Sequence, residues 1–187
     1  AQGFDSDYNC QNTLIQYNYS HDNYGGMVLI CNSGNAGDYS CGNIGSIVRY
    51  NISIGDGIRP KETRQGMFSP SIHIAGPVKQ TLVERNIIHA NPKPSDAVDR
   101  TMITSDSWDG YADSTYFRQN IYYAAEPSHF DFTSSTRNAF EENIYIGQFK
   151  NQPESQKNKK AENIYTEKVL QESADGYKGL HCLMDST

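Results

Sequence analysis

The sequence of 187 residues lacks any apolar run near the roughly 18 residues that a membrane-spanning helix needs. It also lacks a Lys- and Arg-rich face, since its densest basic segment, 157–160, is a single polar stretch typical of a solvated loop. Binding to a nucleic-acid backbone requires such a face. We therefore expect no membrane span and no nucleic-acid partner, and we interpret the formal charge of -6 as a contribution to solubility.

Cysteines are few, and their spacing excludes the common metal patterns. There is no CxxC pair and no zinc-type spacing between Cys and His. We expect structural burial of each cysteine and no metal site, while a disulfide between two of the first three remains open. The cysteines are Cys10, Cys31, Cys41 and Cys182.

Long runs of Ala, Leu, Glu and Lys, which build helical bundles, are missing as well. The sequence instead contains 15 Gly and 13 Tyr, with abundant Asn and Ser. This composition favours short strands separated by many turns. The length is compatible with one domain spanning residues 1–187.

An internal repeat marked by one asparagine organises the chain. Typical copies are Val48-Arg49-Tyr50-Asn51-Ile52-Ser53 and Phe117-Arg118-Gln119-Asn120-Ile121-Tyr122. The steps between the marking residues are 33, 35, 34 and 23 residues, and a weaker copy at Asn163 follows after 20 more. The marking residues are Asn18, Asn51, Asn86, Asn120 and Asn143.

Asparagine suits a sharp turn between strands, because it tolerates the left-handed backbone region better than most residues. If successive turns stack at the strand spacing of about 4.8 Å, the side-chain amides can hydrogen-bond to one another as an internal ladder. We therefore predict an asparagine ladder. A glycosylation acceptor at Asn18 or Asn51, each followed by x-Ser, is the alternative.

A second column of short strands lies between the asparagines, so that one repeat reads as three strands and their loops. This pattern predicts an all-β right-handed parallel β-helix, a solenoid of about five coils with long loops on one side and a less regular part at 148–187. The second-column strands are Gly3 to Asp7, Met27 to Cys31, Ser71 to Gly76, Thr101 to Ser105 and His129 to Thr133. The long loops are 32–46, 58–69, 92–100 and 106–114.

The asparagine repeat, together with the segment from Gly3 to Asp7 and on through Asn18 to Asn23, resembles the pectate-lyase-like superfamily of right-handed parallel β-helix proteins. The resemblance covers roughly Gly3 to Tyr165 and extends to secreted bacterial β-helix repeat proteins. It implies the fold, and it implies a role as polysaccharide lyase, glycoside hydrolase, sugar epimerase or non-enzymatic adhesin module. It also implies that a substrate lies along one parallel sheet and its loops.

Side-chain alternation in the second-column strands predicts which residues face outward. Thr104 is assigned to the same outer column as Asp106. Carboxylates about 5 to 9 Å apart can hydrolyse a glycosidic bond, and neighbouring turns bring residues within that range. The candidate catalytic residues are Asp5, Asp7, His73, Asp106 and Asp131.

Other residues are candidates for substrate binding. His21 and Asp22 follow the first marking asparagine, but neighbours in a regular strand point to opposite faces, so both cannot face one substrate. Trp108 and Tyr111 can stack on a sugar ring. A lyase would need a basic residue, for which the candidates are Arg59, Lys79 and Arg100.

We expect a secreted, periplasmic or cell-surface monomer that acts on a polysaccharide or oligosaccharide as a glycoside hydrolase. The alternatives are a lyase of uronic-acid polymers and a non-catalytic glycan-binding or structural solenoid. No cofactor is expected, except calcium if the protein is a lyase, and no calcium-ligand spacing is evident. Because the first strand begins almost at residue 1, we also expect the natural chain to extend further in the N-terminal direction.

Overall fold

The computed structural model describes residues 2–34, 42–57, 59, 69–90 and 101–154. These residues form strands and turns and contain no helix, so none of them belongs to a helix able to cross a membrane. The strands are, in chain order, β1 (Phe4–Ser6), β2 (Leu14–Gln16), β3 (Tyr19–His21), β4 (Val28–Cys31), β5 (Asn43–Ile44), β6 (Ile47–Arg49), β7 (Ile52–Ile54), β8 (Ile72–Ala75), β9 (Val78–Glu84), β10 (Ile87–Ala90), β11 (Thr101–Asp106), β12 (Asp113–Arg118), β13 (Ile121–Asp131), β14 (Ala139–Glu141) and β15 (Ile144–Phe149).

Every pairing between these strands is parallel, and the pairings define three groups. Sheet A has the order β1-β4-β8-β11 and ends on the C-terminal part of β13. Sheet C has the order β3-β7-β10, followed by the N-terminal part of β13 and then β15, so that β13 joins A and C into one nine-stranded sheet. Sheet B is separate, with the order β2-β6-β9-β12-β14 and β5 beside β9. The chain thus visits A, B and C in turn, and the predicted all-β class with parallel sheets is confirmed.

The core lies where one face of each sheet turns inward. In sheet B the residue three before each asparagine is apolar and at most 9% exposed, which forms one continuous row through the interior. Full burial of one such side chain stabilises the fold by about 1.5 to 3 kcal/mol. The row consists of Ile15, Val48, Val83, Phe117 and Phe140.

The five asparagines are joined by hydrogen bonds from each repeat to the next. In each pair, the backbone N–H and the Nδ2 group of the earlier residue both donate to Oδ1 of the later one, at 2.9–3.1 Å. Each later Nδ2 also donates to a backbone carbonyl of the preceding repeat; Asn86, for example, bonds to Val48 O at 2.9 Å. These bonds satisfy amides that are at most 4% exposed from Asn51 onward, and an unpaired amide there would be costly.

The predicted ladder is present, but the other predicted reason for the asparagines, the left-handed turn, is wrong. The left-handed backbone conformation belongs to the residue before each asparagine, with φ between 51° and 57°, and not to the asparagine. The asparagine is therefore required for its carboxamide, and its neighbour absorbs the strain of the turn. The left-handed residues are Tyr17, Tyr50, Arg85, Gln119 and Glu142.

The remaining sequence predictions have mixed outcomes. Four of the five second-column strands are present within one residue of their predicted bounds. The fifth, predicted at His129 to Thr133, is the C-terminal part of β13, which begins already at Ile121. The predicted loop at 32–46 is wrong in part, because β5 lies inside it and pairs with β9. Neither Cys10 nor Cys31 is in a disulfide. Cys41, Cys182, Arg100, Asn163, the predicted loop at 92–100, nearly all of the loop at 58–69, and the C-terminal part after 154 lie outside the described residues.

Candidate functional site

The outward face of sheet A brings the sequence-predicted acidic residues onto one surface. Strand register places one residue from each of the five strands in a single row across this face. Ile72, Ile103 and Phe130, which precede members of the row, point into the core, so the row itself points outward. The row is Asp5, Leu29, His73, Thr104 and Asp131.

A second outward row lies two residues further along the strands. Asp106 is in this row, opposite Ala75, and Cys31 is on the other side of Ala75. The two rows are joined by a hydrogen bond between His73 Nε2 and Asp106 Oδ1, at 2.9 Å. His73 is only 5% exposed although it points away from the core, so its imidazole is held firmly beside the Asp106 carboxylate.

The five catalytic candidates share this face but form no single cluster. Asp5 and Asp131 are four strands apart, which corresponds to about 19 Å at the spacing of parallel strands. One group therefore contains Asp5 and Asp7 at the β1 edge. The other contains His73, Asp106 and Asp131 on β8, β11 and β13.

Asp7 is held by its surroundings more firmly than its exposure suggests. Its Oδ1 accepts hydrogen bonds from the backbone N–H of Tyr8, at 2.8 Å, and from the Cys31 thiol, at 3.2 Å. Burial, together with the nearby carboxylates, raises the pKa of Cys31 well above its usual range. The thiol therefore stays protonated and keeps donating to Asp7.

Asp5 lies two residues before Asp7 on the same face. Partial burial, and secondly the negative charge of Asp7, raise the pKa of Asp5 above its ordinary value. A raised pKa favours the protonated form. The pair thus combines one carboxyl group inclined to hold a proton with one carboxylate fixed by two donors.

Trp108 connects the two groups of acids. Its ring makes an edge contact with His73, at 6.0 Å between centroids, and another with Tyr8, at 6.2 Å. The loop that carries it is tied down by a bond from Gly34 N to Trp108 O, at 2.8 Å. Because the indole remains partly exposed, it offers an apolar surface between the Asp7 edge and the His73–Asp106 pair.

The other binding candidates lie elsewhere. His21 and Asp22 are on sheet C and its following corner; β3 ends at His21, and Asp22 has φ 53°. The strand is therefore not regular there, and the two side chains hydrogen-bond to each other at 3.1 Å. The expectation that they point to opposite faces depended on a regular strand, and that condition is not met at Asp22.

Lys79 and Tyr111 are exposed, and neither is in a row of sheet A. Lys79 is on β9 in sheet B, opposite Asp113. Tyr111 is in the loop between β11 and β12, and its ring is 44% exposed. Arg59 follows the β7 corner, and its Nε atom is buried.

Sequence reasoning missed Tyr8 and Cys31 as members of this site, whereas Thr104 lies on the outward face to which it was assigned. Tyr8 precedes a left-handed Asn9, so alternation along β1 does not extend to it. Cys31 lies in an all-apolar strand whose register could not be read from the sequence. Among the described residues, no group of three or more His, Cys, Asp or Glu is arranged to hold a metal ion.

Comparison with protein-family models, with curated proteins and with solved structures finds no match for this chain.

Proposed function

We propose that this chain is a right-handed parallel β-helix that binds a glycan along the outward face of sheet A and hydrolyses it. The order A, B, C of the strands, repeated with parallel partners one repeat away, supports the helical winding, since crossovers between parallel strands are almost always right-handed. The proposal includes the resemblance to the pectate-lyase-like superfamily and a location outside the cytoplasm.

The Asp5–Asp7 pair carries the functional proposal. Two residues apart on one strand corresponds to about 6.6 Å between Cα atoms, which suits two carboxyl groups flanking a glycosidic bond. Their surroundings differ, since burial raises the pKa of Asp5 while the Cys31 thiol and the Tyr8 amide bond to Asp7. Such pairs of differently tuned carboxyl groups are typical of acid and base assignments.

In the proposed reaction, Asp5 donates a proton to the glycosidic oxygen as the bond from this oxygen to the anomeric carbon breaks. On the opposite side of the sugar, Asp7 either takes a proton from the water that attacks the anomeric carbon or bonds to that carbon itself, and water then releases the sugar. Trp108 stacks on a sugar ring beside them. His73, fixed by Asp106, donates or accepts a hydrogen bond with a sugar hydroxyl. These roles explain why the acids and the indole share one face.

A lyase is the weaker proposal. It would need a basic side chain next to the bound uronate, and Lys79 extends instead from sheet B, paired in register with Asp113. Formation of an unsaturated sugar, detected by its ultraviolet absorbance, would favour the lyase over hydrolysis. Glycan binding without any product would favour a binding module.

The test replaces Asp5 and Asp7 separately with Asn and measures reducing-end release from a panel of glycans. Each change should lower the rate about 10² to 10⁴-fold, the usual contribution of an acid or base group. Glu142→Gln, which removes the same charge at the corner between sheets B and C, is the control. The hydrolase proposal fails if Asp5→Asn and Asp7→Asn retain the turnover of every accepted glycan.

The pH profile provides a second readout. Because Asp5 must be protonated to act as an acid, activity should fall as pH rises through its raised pKa, giving an alkaline limb set by Asp5. Carbon-13 NMR titration of Asp5 tests the cause without requiring turnover. Asp7→Asn should lower the pKa of Asp5 towards its ordinary value, since the repulsion that favours the protonated form is removed.

A further inference from the structure

We propose that the glycan bound on sheet A carries no acidic groups, and that polymers of amino sugars with free ammonium groups bind best. The inference rests on the proposed glycan hydrolysis and names the substrate class for the same site. Charge, hydrogen-bonding capacity and one unpartnered hydroxyl support it.

The charge of the face is the first observation. Of the outward side chains in the two described rows, none is Lys or Arg, and the imidazole of His73 is bonded to Asp106. The carboxylates are Asp5, Asp7, Asp106 and Asp131. A uronate would add a further negative charge to this surface, and like charges within a few ångströms repel.

Hydrogen-bonding capacity is the second observation. Ionised carboxylates only accept hydrogen bonds, so the face has an excess of acceptors. A sugar ammonium group supplies three donors and no acceptor, and its bonds to carboxylates are charge-assisted and short. A uronate carboxylate, itself acceptor-only, cannot pair with them.

Thr104 is the third and independent observation. It lies in the row between His73 and Asp131, is only 2% exposed, and its Oγ1 makes no hydrogen bond within the described part of the chain. A buried hydroxyl without a partner is costly. We assign it as a ligand-facing group that accepts a hydrogen bond from the ammonium group, with Asp131 opposite it on the neighbouring strand and Asp106 two residues further along its own strand.

The experiment measures binding by calorimetry at a mildly acidic pH, where the sugar amines are protonated. Three probes of equal length are compared: a glucosamine hexamer, its N-acetylated counterpart and a galacturonate hexamer. The glucosamine hexamer should bind about tenfold or more tightly than the neutral probe, because it alone makes charge-assisted bonds. The galacturonate hexamer should bind most weakly.

Variants separate the site from general attraction to an acidic protein. Thr104→Val, which keeps the shape and removes the hydroxyl, should weaken glucosamine-hexamer binding about three- to tenfold, and Asp131→Asn should weaken it further. Glu142→Gln removes a charge away from sheet A and should leave binding unchanged. Circular dichroism checks that each variant is folded.

The outcomes are distinguishable. If the galacturonate hexamer binds as tightly as the glucosamine hexamer, or if Glu142→Gln weakens binding as much as Thr104→Val and Asp131→Asn do, the inference is overturned while glycan recognition stands. If none of the three probes nor any glycan of the wider panel binds, the proposed function itself fails.

Discussion

The two ends of the described structure have opposite interiors. Near β1 and β3 several inward side chains are short and polar, and they hydrogen-bond to other polar side chains beside aliphatic residues such as Ile15 and Val28. The ring-filled interior lies near β12 to β15. The polar set is Ser6, Ser20, Asn43, Ser46, Ser53 and Asp56, and the aromatic set is Phe117, Tyr122, Phe130, Phe140, Tyr145 and Phe149.

The difference between the two interiors suggests two roles: the aromatic end stabilises the fold, and the polar end positions the candidate site. Large rings bury much apolar area and make stacked or edge contacts, which stabilise a fold. Such contacts do not position atoms as narrowly as hydrogen bonds do. A polar interior stabilises less, but its directional bonds fix geometry. Asn43 Nδ2 lies within 2.8–3.2 Å of backbone oxygens of Ser6, Asp7 and Cys31, so the polar end supports the strand that carries the candidate acids.

The largest expected effect is at the aromatic end. Phe117 is fully buried and stacks on Phe140, at 4.9 Å between centroids. Phe117→Ala should lower the free energy of unfolding in urea by about 3 to 5 kcal/mol, through lost transfer energy and the cavity left behind. Tyr116→Ala, at the neighbouring and 48% exposed position, is the control and should change it by less than about 1 kcal/mol.

A cavity at Phe117 should leave the Asp5–Asp7 pair unaffected, because that pair is on the other end of the structure. If Phe117→Ala shifts the NMR titration of Asp5 as strongly as Asp7→Asn does, the two ends are coupled. The proposed division of roles would then be wrong.

A smaller loss of stability, with a larger effect on the site, is expected at the polar end. Asn43→Ala removes the bonds from Nδ2 and leaves Ser46 Oγ without its acceptor at 2.7 Å. The free energy of unfolding should fall by about 2 kcal/mol, the cost of unpaired buried polar groups. Hydrolysis should also fall, because the backbone at Asp7 loses a support.

Asn32→Ala offers a matched comparison for Asn43→Ala, since Asn32 Oδ1 accepts a hydrogen bond from the backbone N–H of Asn9, at 3.1 Å, two residues beyond Asp7. Its effect on turnover should be weaker. Equal turnover in Asn43→Ala and the unaltered protein would break the link between the polar interior and the site.

Much of this architecture could be predicted because it repeats. Asparagines spaced by one repeat predict amides in register, and alternation in β8 places Ile72 and Ile74 inside and His73 outside, as found. A pattern that recurs in five repeats can be recognised even where one repeat is irregular. Contacts that occur once cannot be predicted in this way. The hydrogen bond from the Cys31 thiol to Asp7 is an example, because it depends on the register of an all-apolar strand.

The His73–Asp106 bond is a second case of this limit. β11 has an irregularity in its register between Thr101 and Ile103 and runs one residue beyond its predicted end. In the pairing with β8, Asp106 lies opposite Ala75, two residues beyond the position opposite His73, so spacing alone did not predict the 2.9 Å bond between the two side chains.

The smallest expected effect on stability is at the left-handed residue that precedes each ladder asparagine. Propensity places the positive φ on asparagine, yet Tyr, Arg, Gln and Glu adopt it, because the ladder fixes the asparagine and leaves the turn to its neighbour. A side chain in this conformation costs about 1 to 2 kcal/mol relative to glycine, partly offset by glycine's greater freedom in the unfolded chain. Relief of this strain should therefore be measurable at a position whose side chain makes few other contacts.

Gln119 is suitable, since its exposed side chain hydrogen-bonds to Glu142, at 2.9 Å, and to no other side chain in the described part of the protein. Gln119→Gly and Gln119→Ala both lose that bond, but only the glycine relieves the backbone at φ 54°. Urea unfolding should find the glycine variant more stable than the alanine variant by up to about 1 kcal/mol. If the alanine variant is the more stable of the two, the backbone at Gln119 is not strained. The proposed difference between the asparagine, required for its carboxamide, and its strained neighbour would then be wrong.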